Sequence, residues 1–176
     1  MELILEDIQR ALDAGASFAA LASAVTLPEI CGRCEQEDMF STKGPNRGEA
    51  IFDRFVEAYL KDWDIGLTGA DLANIRNGLS HRGQLTQRNT PLRYVFYPPQ
   101  FGGRVHNNRV ENANGDLLVL NIDLRKFCTD ISNAVRGWLV ANAENATVQR
   151  NLGNVLQTRE GDFGTGIYIE GVHWVA

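Results

Sequence analysis

The sequence predicts a mainly α-helical bundle interrupted by a small antiparallel β insertion at about residues 92–122. Three observations predict it. Apolar residues in both ends of the chain recur at helical spacing. The middle switches to aromatic and β-branched runs bounded by prolines. Between two of those runs stands Asn114-Gly115, a dipeptide suited to the left-handed backbone of a tight hairpin.

The elements follow in order. Leu3, Ile4, Ile8, Leu12, Phe18, Leu21 and Val25 fall broadly on a helical stripe, which Pro28 closes, or from which Pro28 opens the next helix. A short helix from Pro28 to about Asp38 is expected, with proline at its first position. Ser41–Asn46 is a loop by its turn residues. Ile51, Phe52, Phe55, Val56, Tyr59, Leu60 and Trp63 form a broad apolar stripe. Thr68 is a good helix cap, with Asp71 three residues on as its reciprocal partner. The helix that follows turns Leu72, Ile75 and Leu79 inward and should end near Gly83.

Strand character begins at Leu92–Tyr97 and stops at Pro98-Pro99; Val105–Val110 and Leu117–Ile122 flank the hairpin turn. Helix returns with Leu124, Phe127, Cys128, Ile131, Val135, Trp138 and Leu139, and a last one carries Val148, Leu152, Val155 and Leu156. One domain over 1–160 is expected, with a Gly-rich tail at 161–176 of irregular or short-strand character.

Composition sets the outer bounds. The 176 residues are 44% hydrophobic and 22% charged, the balance of a folded domain with a real core. No apolar run approaches the roughly 18–20 residues of a membrane span. Met1-Glu2-Leu3 lacks the basic start and apolar block of a secretion signal, and three cysteines are too few for a disulfide framework, so a cytoplasmic location is expected.

A net charge of −5 argues at first against nucleic acid. Its distribution argues otherwise. Leu72 to Val110 holds no Asp or Glu in 39 residues, while Arg76, Arg82, Arg88, Arg93, Arg104 and Arg109 contribute +6. The other residues carry 11 basic and 22 acidic side chains, or −11. Such a window either pairs with acidic surface elsewhere in the fold or forms an anion-binding face on an acidic protein.

Few residues have the types that chemistry needs. Cys31-Gly32-Arg33-Cys34 has redox or zinc spacing, but it lies inside an expected helix with too few companion ligands, so buried cysteines are expected. No phosphate-cradling glycine loop is present. The remaining constellation is Asn74-Ile75-Arg76-Asn77-Gly78-Leu79-Ser80-His81-Arg82-Gly83. Arginine stays charged and can fork onto two phosphate oxygens. Histidine exchanges protons near neutral pH. Asn77 and His81 are four apart and share a helix face. Arg76 and His81 are five apart, about 140° round an ideal helix, so the two do not simply meet. Either the arginine wraps across, the helix distorts near Gly83, or a second protomer completes the site. A purely structural reading also stands: an exposed arginine and a histidine at the negative end of a helix.

The Arg-Asn-x2-Ser-His run, on a helix entered through Leu67-Thr68-Gly69-Ala70-Asp71-Leu72, resembles the signature of HEPN domains, the higher-eukaryote and prokaryote nucleotide-binding superfamily. Upstream, Leu27-Pro28-Glu29-Ile30-Cys31-Gly32 is similar to an uncharacterised bacterial branch, and the resemblance covers roughly 1–85 and 122–157. It implies a HEPN-like bundle and a homodimer in which two motif helices face each other. It also implies a metal- and cofactor-independent endoribonuclease acting by 2′-hydroxyl attack. Arg76 would stabilise the phosphate, His81 would act as general acid or base, and Asn77 would orient one or the other. Arg82, Arg88, Arg93 and Tyr94 would contact RNA by charge and stacking, although the insertion's aromatics equally suit a buried hairpin face. The resemblance points to defence or toxin–antitoxin systems, with a nucleotidyltransferase or antitoxin partner. The alternatives are a non-catalytic HEPN module that binds nucleotide, RNA or protein, and a helical interaction domain with no nucleic-acid role.

Overall fold

Residues 1–39, 48–86, 92–155, 158–160 and 173–175 are described by a computed structural model. The expected loop at Ser41–Asn46 lies outside them. Helices α1 (Glu2–Asp13) and α2 (Ser17–Cys34) form an antiparallel hairpin. In α1, Leu5, Ile8 and Leu12 make one buried stripe. Helix α2 is buried on most of its circumference, from Ala20 and Leu21 through Val25, Leu27 and Cys31 to Cys34. It packs against α1, against α3 (Glu49–Tyr59), α4 (Gly69–Arg82) and α6 (Leu124–Ala141), and against the short α7 (Ala146–Leu152).

This central position explains a departure from the sequence expectation. Pro28 neither closes a helix nor opens one: α2 runs through it to Cys34. The proline deprives the Ala24 carbonyl of its helical donor, at a usual cost of about 3 kcal/mol. Burial of the flanking apolar residues by five neighbouring helices outweighs that local penalty.

The three-stranded sheet is built from β1 (Arg93–Tyr97), β2 (Asn108–Glu111) and β3 (Leu117–Asp123), in the order β1-β3-β2. The expected hairpin forms between β2 and β3, antiparallel, with Val110 opposite Val119. The turn is held by Asn112, whose Oδ1 accepts from the backbone of Asn114 and Asp116. The sheet is not wholly antiparallel, however. β1 lies parallel to β3, with Tyr94 opposite Leu120 and Phe96 opposite Ile122. A parallel neighbour needs a crossover, and the stretch between the first two expected strands begins it: residues 99–105 form helix α5 (Pro99–Val105), so the strand expected from Val105 starts only at Asn108. Pro98-Pro99 stops β1 as expected and Pro99 then opens a helix.

β3 passes directly into α6 at Asp123, whose carboxylate caps the helix by accepting from Lys126 N at 3.0 Å. Asn145 caps α7 in the same way. One apolar core runs from Leu5 to Val155 and joins helices and sheet, with Trp138 and Phe127 its largest members. Beyond it β4 (Thr158–Glu160) pairs antiparallel with β5 (His173–Val175), so part of the tail is short strand; 161–172 lie outside the described residues. No helix among the described residues is long and apolar enough to cross a membrane.

Helix α4 is held tightly against α3 at its first residue. A Cβ on Gly69 would come within 2.1 Å of Asp53 N and 2.4 Å of its Cα, both backbone atoms that cannot swing aside. Gly69→Ala should therefore cost about 2–3 kcal/mol, read from the urea midpoint. Gly137, exposed in mid-α6, has only Tyr59 Cδ1 at 3.8 Å in that position. Gly137→Ala should stabilise by about 0.5–1 kcal/mol.

Candidate functional site

Helix α4 carries the Arg76–His81 segment and is fixed at both ends. At its start Thr68 Oγ1 accepts from Asp71 N at 3.2 Å, and Asp71 Oδ2 accepts from Thr68 N at 2.9 Å. The expected capping box is present. At its end Gly83 adopts the left-handed conformation that closes helices, with φ of 61°. The chain then folds back so closely that Gln84 O lies 2.1 Å from where a Cβ on Gly78 would stand. The helix therefore presents its motif in one register.

Within that register the polar residues separate into two groups. Arg76 is half-buried, with 22% of its side chain exposed, and points towards α2, where it pairs with Glu29 Oε2. Its Nη1 donates to Asn77 Oδ1 at 2.7 Å. Glu29 is 18% exposed and also meets Arg33 Nη2 at 3.4 Å through its other oxygen. Burial lowers the pKa of the Arg76 guanidinium, which nonetheless stays charged. One carboxylate thus bridges two guanidiniums. His81 is exposed in the last turn, as are Ser80 and Arg82. Among the described residues, no hydrogen bond joins His81 to Arg76 or Asn77.

Sequence reasoning assigned no role to Glu29 and Arg33. The available signal was their i, i+4 spacing, which suits an ion pair on one helix face. Their link to Arg76 spans 47 positions and has no local signature.

Among the described residues, the basic window is not wholly presented to solvent. Arg109 is committed to the fold, donating from Nη2 to Ile65 O at 3.0 Å and from Nε to Asn107 Oδ1 at 3.3 Å. Arg93 and Arg104 are exposed on β1 and α5. Arg88 lies outside the described residues. Tyr94 corrects an expectation: it is 2% exposed, and its hydroxyl donates to Asp71 Oδ1. Burial, then the Asp71 contact, push its phenol pKa up. Its ring fastens β1 to the start of α4 and is not presented for base stacking.

Two other clusters bear on the assignment. Cys31, Cys34 and Cys128 are free and buried, and no group of metal-ligating side chains occurs among the described residues. A cleft of about 570 Å³ between the α3–α4 connection and α6 holds Asp64, Lys126 and Asp130, but these groups pair with one another. Trp63 Nε1 also donates to Asp130, at 2.9 Å. His106 accepts the Asp123 amide on Nδ1 and turns Nε2 to Asp64, so it ties the sheet to this network.

No protein-family model, curated protein or solved structure matches the chain.

The thiols make a direct test of this packing. Burial pushes Cys34 up to about 11 and Cys128 up to about 12, and raises Cys31 further. All three should resist a thiol reagent at pH 8 and react together on unfolding. Because the folded values are raised, their contribution to stability is intact below the ordinary thiol value of 9.0 and fades as pH rises towards 11–12.

The ion pair has its own test. A double-mutant cycle with Glu29→Gln and Arg76→Gln should give a coupling of about 1–2 kcal/mol, since Glu29→Gln strands the half-buried Arg76 guanidinium while Arg76→Gln removes one of the two guanidiniums that Glu29 faces. Additive effects in denaturant titrations would show that the pair does not join α2 to α4.

Proposed function

We propose that the protein is a HEPN-type endoribonuclease that cleaves RNA without a metal, at a site shared by two copies of the chain. The observation that carries this reading is the placement of Arg76. An arginine held half-buried by Glu29 and Asn77 is a preorganised phosphate contact, because its direction is set before substrate arrives. His81, on the same helix and open to solvent, is placed to exchange protons. Arg76 faces α2 while His81 stands at the exposed end of α4, so the proposed catalytic pair is drawn from both protomers.

The reaction requires no group beyond these side chains. One His81 takes the proton of the 2′-hydroxyl, and the freed oxygen attacks phosphorus. Arg76 balances the extra charge on the phosphorane. The bond to the 5′-oxygen then breaks, and the protonated His81 returns the proton to that leaving oxygen. The products are a 2′,3′-cyclic phosphate and a 5′-hydroxyl. Asn77 keeps the Arg76 guanidinium in its plane. A nucleotidyltransferase or antitoxin partner would regulate such an enzyme. The second reading, a non-catalytic module that binds nucleotide, RNA or protein, draws on the separation of His81 from Arg76 within one protomer.

Unstructured RNA incubated with the protein in EDTA should be cut to fragments ending in cyclic phosphate. His81→Ala and Arg76→Ala should each slow cleavage at least about 100-fold. Cleavage that survives both substitutions overturns the proposal; salt-sensitive binding without cleavage supports the second reading.

A further inference from the structure

The aromatic side chains of the acid-free stretch are not all committed to the core. Tyr94 is buried, Phe96 packs edge-on against Phe127 with ring centroids 5.0 Å apart, and Tyr97 is half-buried. Phe101, on α5, is 57% exposed. Arg104, three residues on, is also exposed and makes no hydrogen bond or ion pair among the described residues. Gln100 is exposed four residues before Arg104. Spacings of three and four put these side chains on one helix face, while α5 packs on β1, β3 and α6 with its other face. We infer that the outer face of α5 is a contact for single-stranded RNA, with Phe101 stacking on a base and Arg104 pairing with the adjoining phosphate. The inference rests on the nuclease reading for its ligand and deepens it by naming where the strand is held outside the motif.

The chemistry of the face selects the occupant. An exposed ring offers a π-face on which any base can stack, and a guanidinium beside it takes the charge that follows each base along a strand. The two acidic residues that meet His106, directly after α5, are already engaged: Asp64 faces Lys126 and His106, and the Asp123 carboxylate caps α6. The Gln100 amide both donates and accepts, so it can meet a base edge without fixing which base. The helix is also firmly placed. Tyr97, two residues before it, is paired opposite Asp123, and His106 accepts the Asp123 amide on Nδ1. Both ends of α5 are therefore held at one end of the sheet. The other end of β1 lies beside the exit of α4, where Tyr94 N donates to Leu85 O at 2.9 Å and Arg93 bridges to Thr86. At about 3.3 Å per residue, β1 spans roughly 13 Å, a distance that a few nucleotides of extended strand can cover.

The test is titration of the whole protein with a single-stranded 2′-O-methyl RNA of mixed sequence, whose blocked 2′-oxygen prevents cleavage. Phe101→Ala and Phe101→Leu should each weaken binding about tenfold, and Phe101→Trp should bind as the wild type does, because a base uses the π-face and not apolar bulk. Arg104→Ala should lower the slope of log affinity against log salt by about 0.7, while Phe101→Leu should leave that slope unchanged. Both side chains are exposed, so these variants should fold as the wild type does. Unchanged affinity in Phe101→Ala or Phe101→Leu overturns the inference, as does an unchanged salt slope in Arg104→Ala. Self-association that Phe101→Ala abolishes without altering RNA affinity would mark a protein contact instead and equally overturn it. The two readings fail separately. Cleavage of unmodified RNA that depends on Arg76 and His81, with normal binding by Phe101→Ala, removes the α5 contact and leaves the nuclease. Binding that depends on Phe101, in a protein that cuts no RNA, does the reverse.

Discussion

A guanidinium and a carboxylate placed between two helices, with about a fifth of each side chain exposed, are costly to separate, because neither can recover full hydration without moving its helix. Arg76 and Glu29 stand in that relation. Their contact fixes the rotation of α4 about its own axis relative to α2, and the motif follows from that rotation. With Arg76 turned inward, Leu72, Ile75 and Leu79 enter the core, while Ser80, His81 and Arg82 are left on the outside of the last turn. The capping box at Thr68 and the left-handed Gly83 set where α4 begins and ends. Tyr94 and Gly69 then lock its beginning to β1 and α3. The local arrangement is stiff, and stiffness is what an electrostatic catalyst requires, since a preoriented charge need not reorganise as the reaction proceeds.

The same pair limits what one copy of the chain can do. Arg76 is partly neutralised by Glu29 and points away from the surface on which His81 lies. A phosphate reaching Arg76 in one protomer therefore meets no proton carrier from that protomer's own helix. The five-residue spacing of Arg76 and His81 had this consequence on an ideal helix, and α4 remains helical from Gly69 to Arg82 without the distortion that would bring them together. This makes a second motif helix part of the proposed mechanism.

Features governed by neighbours in the chain were legible in the sequence. The Thr68–Asp71 cap, the stop at Gly83, the stripe of α6 and the Asn114-Gly115 turn each depend on a few adjacent residues, and each forms where the pattern places it. Features decided by distant contacts were not legible. Pro28 reads locally as a break, yet burial on several sides carries α2 through it. The parallel pairing of β1 with β3 depends on a crossover helix whose Gly-containing segment has no helical periodicity. Tyr94 lies on a strand whose alternation leaves open which face is buried, and the distant carboxylate of Asp71 settles it. At the candidate site, Arg76, Asn77 and His81 could be singled out by residue type and spacing. Glu29 could not, because its partner lies 47 positions away.

The shared site is the central claim, and subunit mixing tests it most directly. Arg76→Ala and His81→Ala protein, each silent alone on RNA in EDTA, should regain a substantial part of wild-type cleavage when unfolded together and refolded as mixed dimers. In such a dimer, one protomer supplies the arginine and the other the histidine. Mixed dimers, verified by differential tagging, that stay as inactive as either variant would contradict a site assembled from two copies.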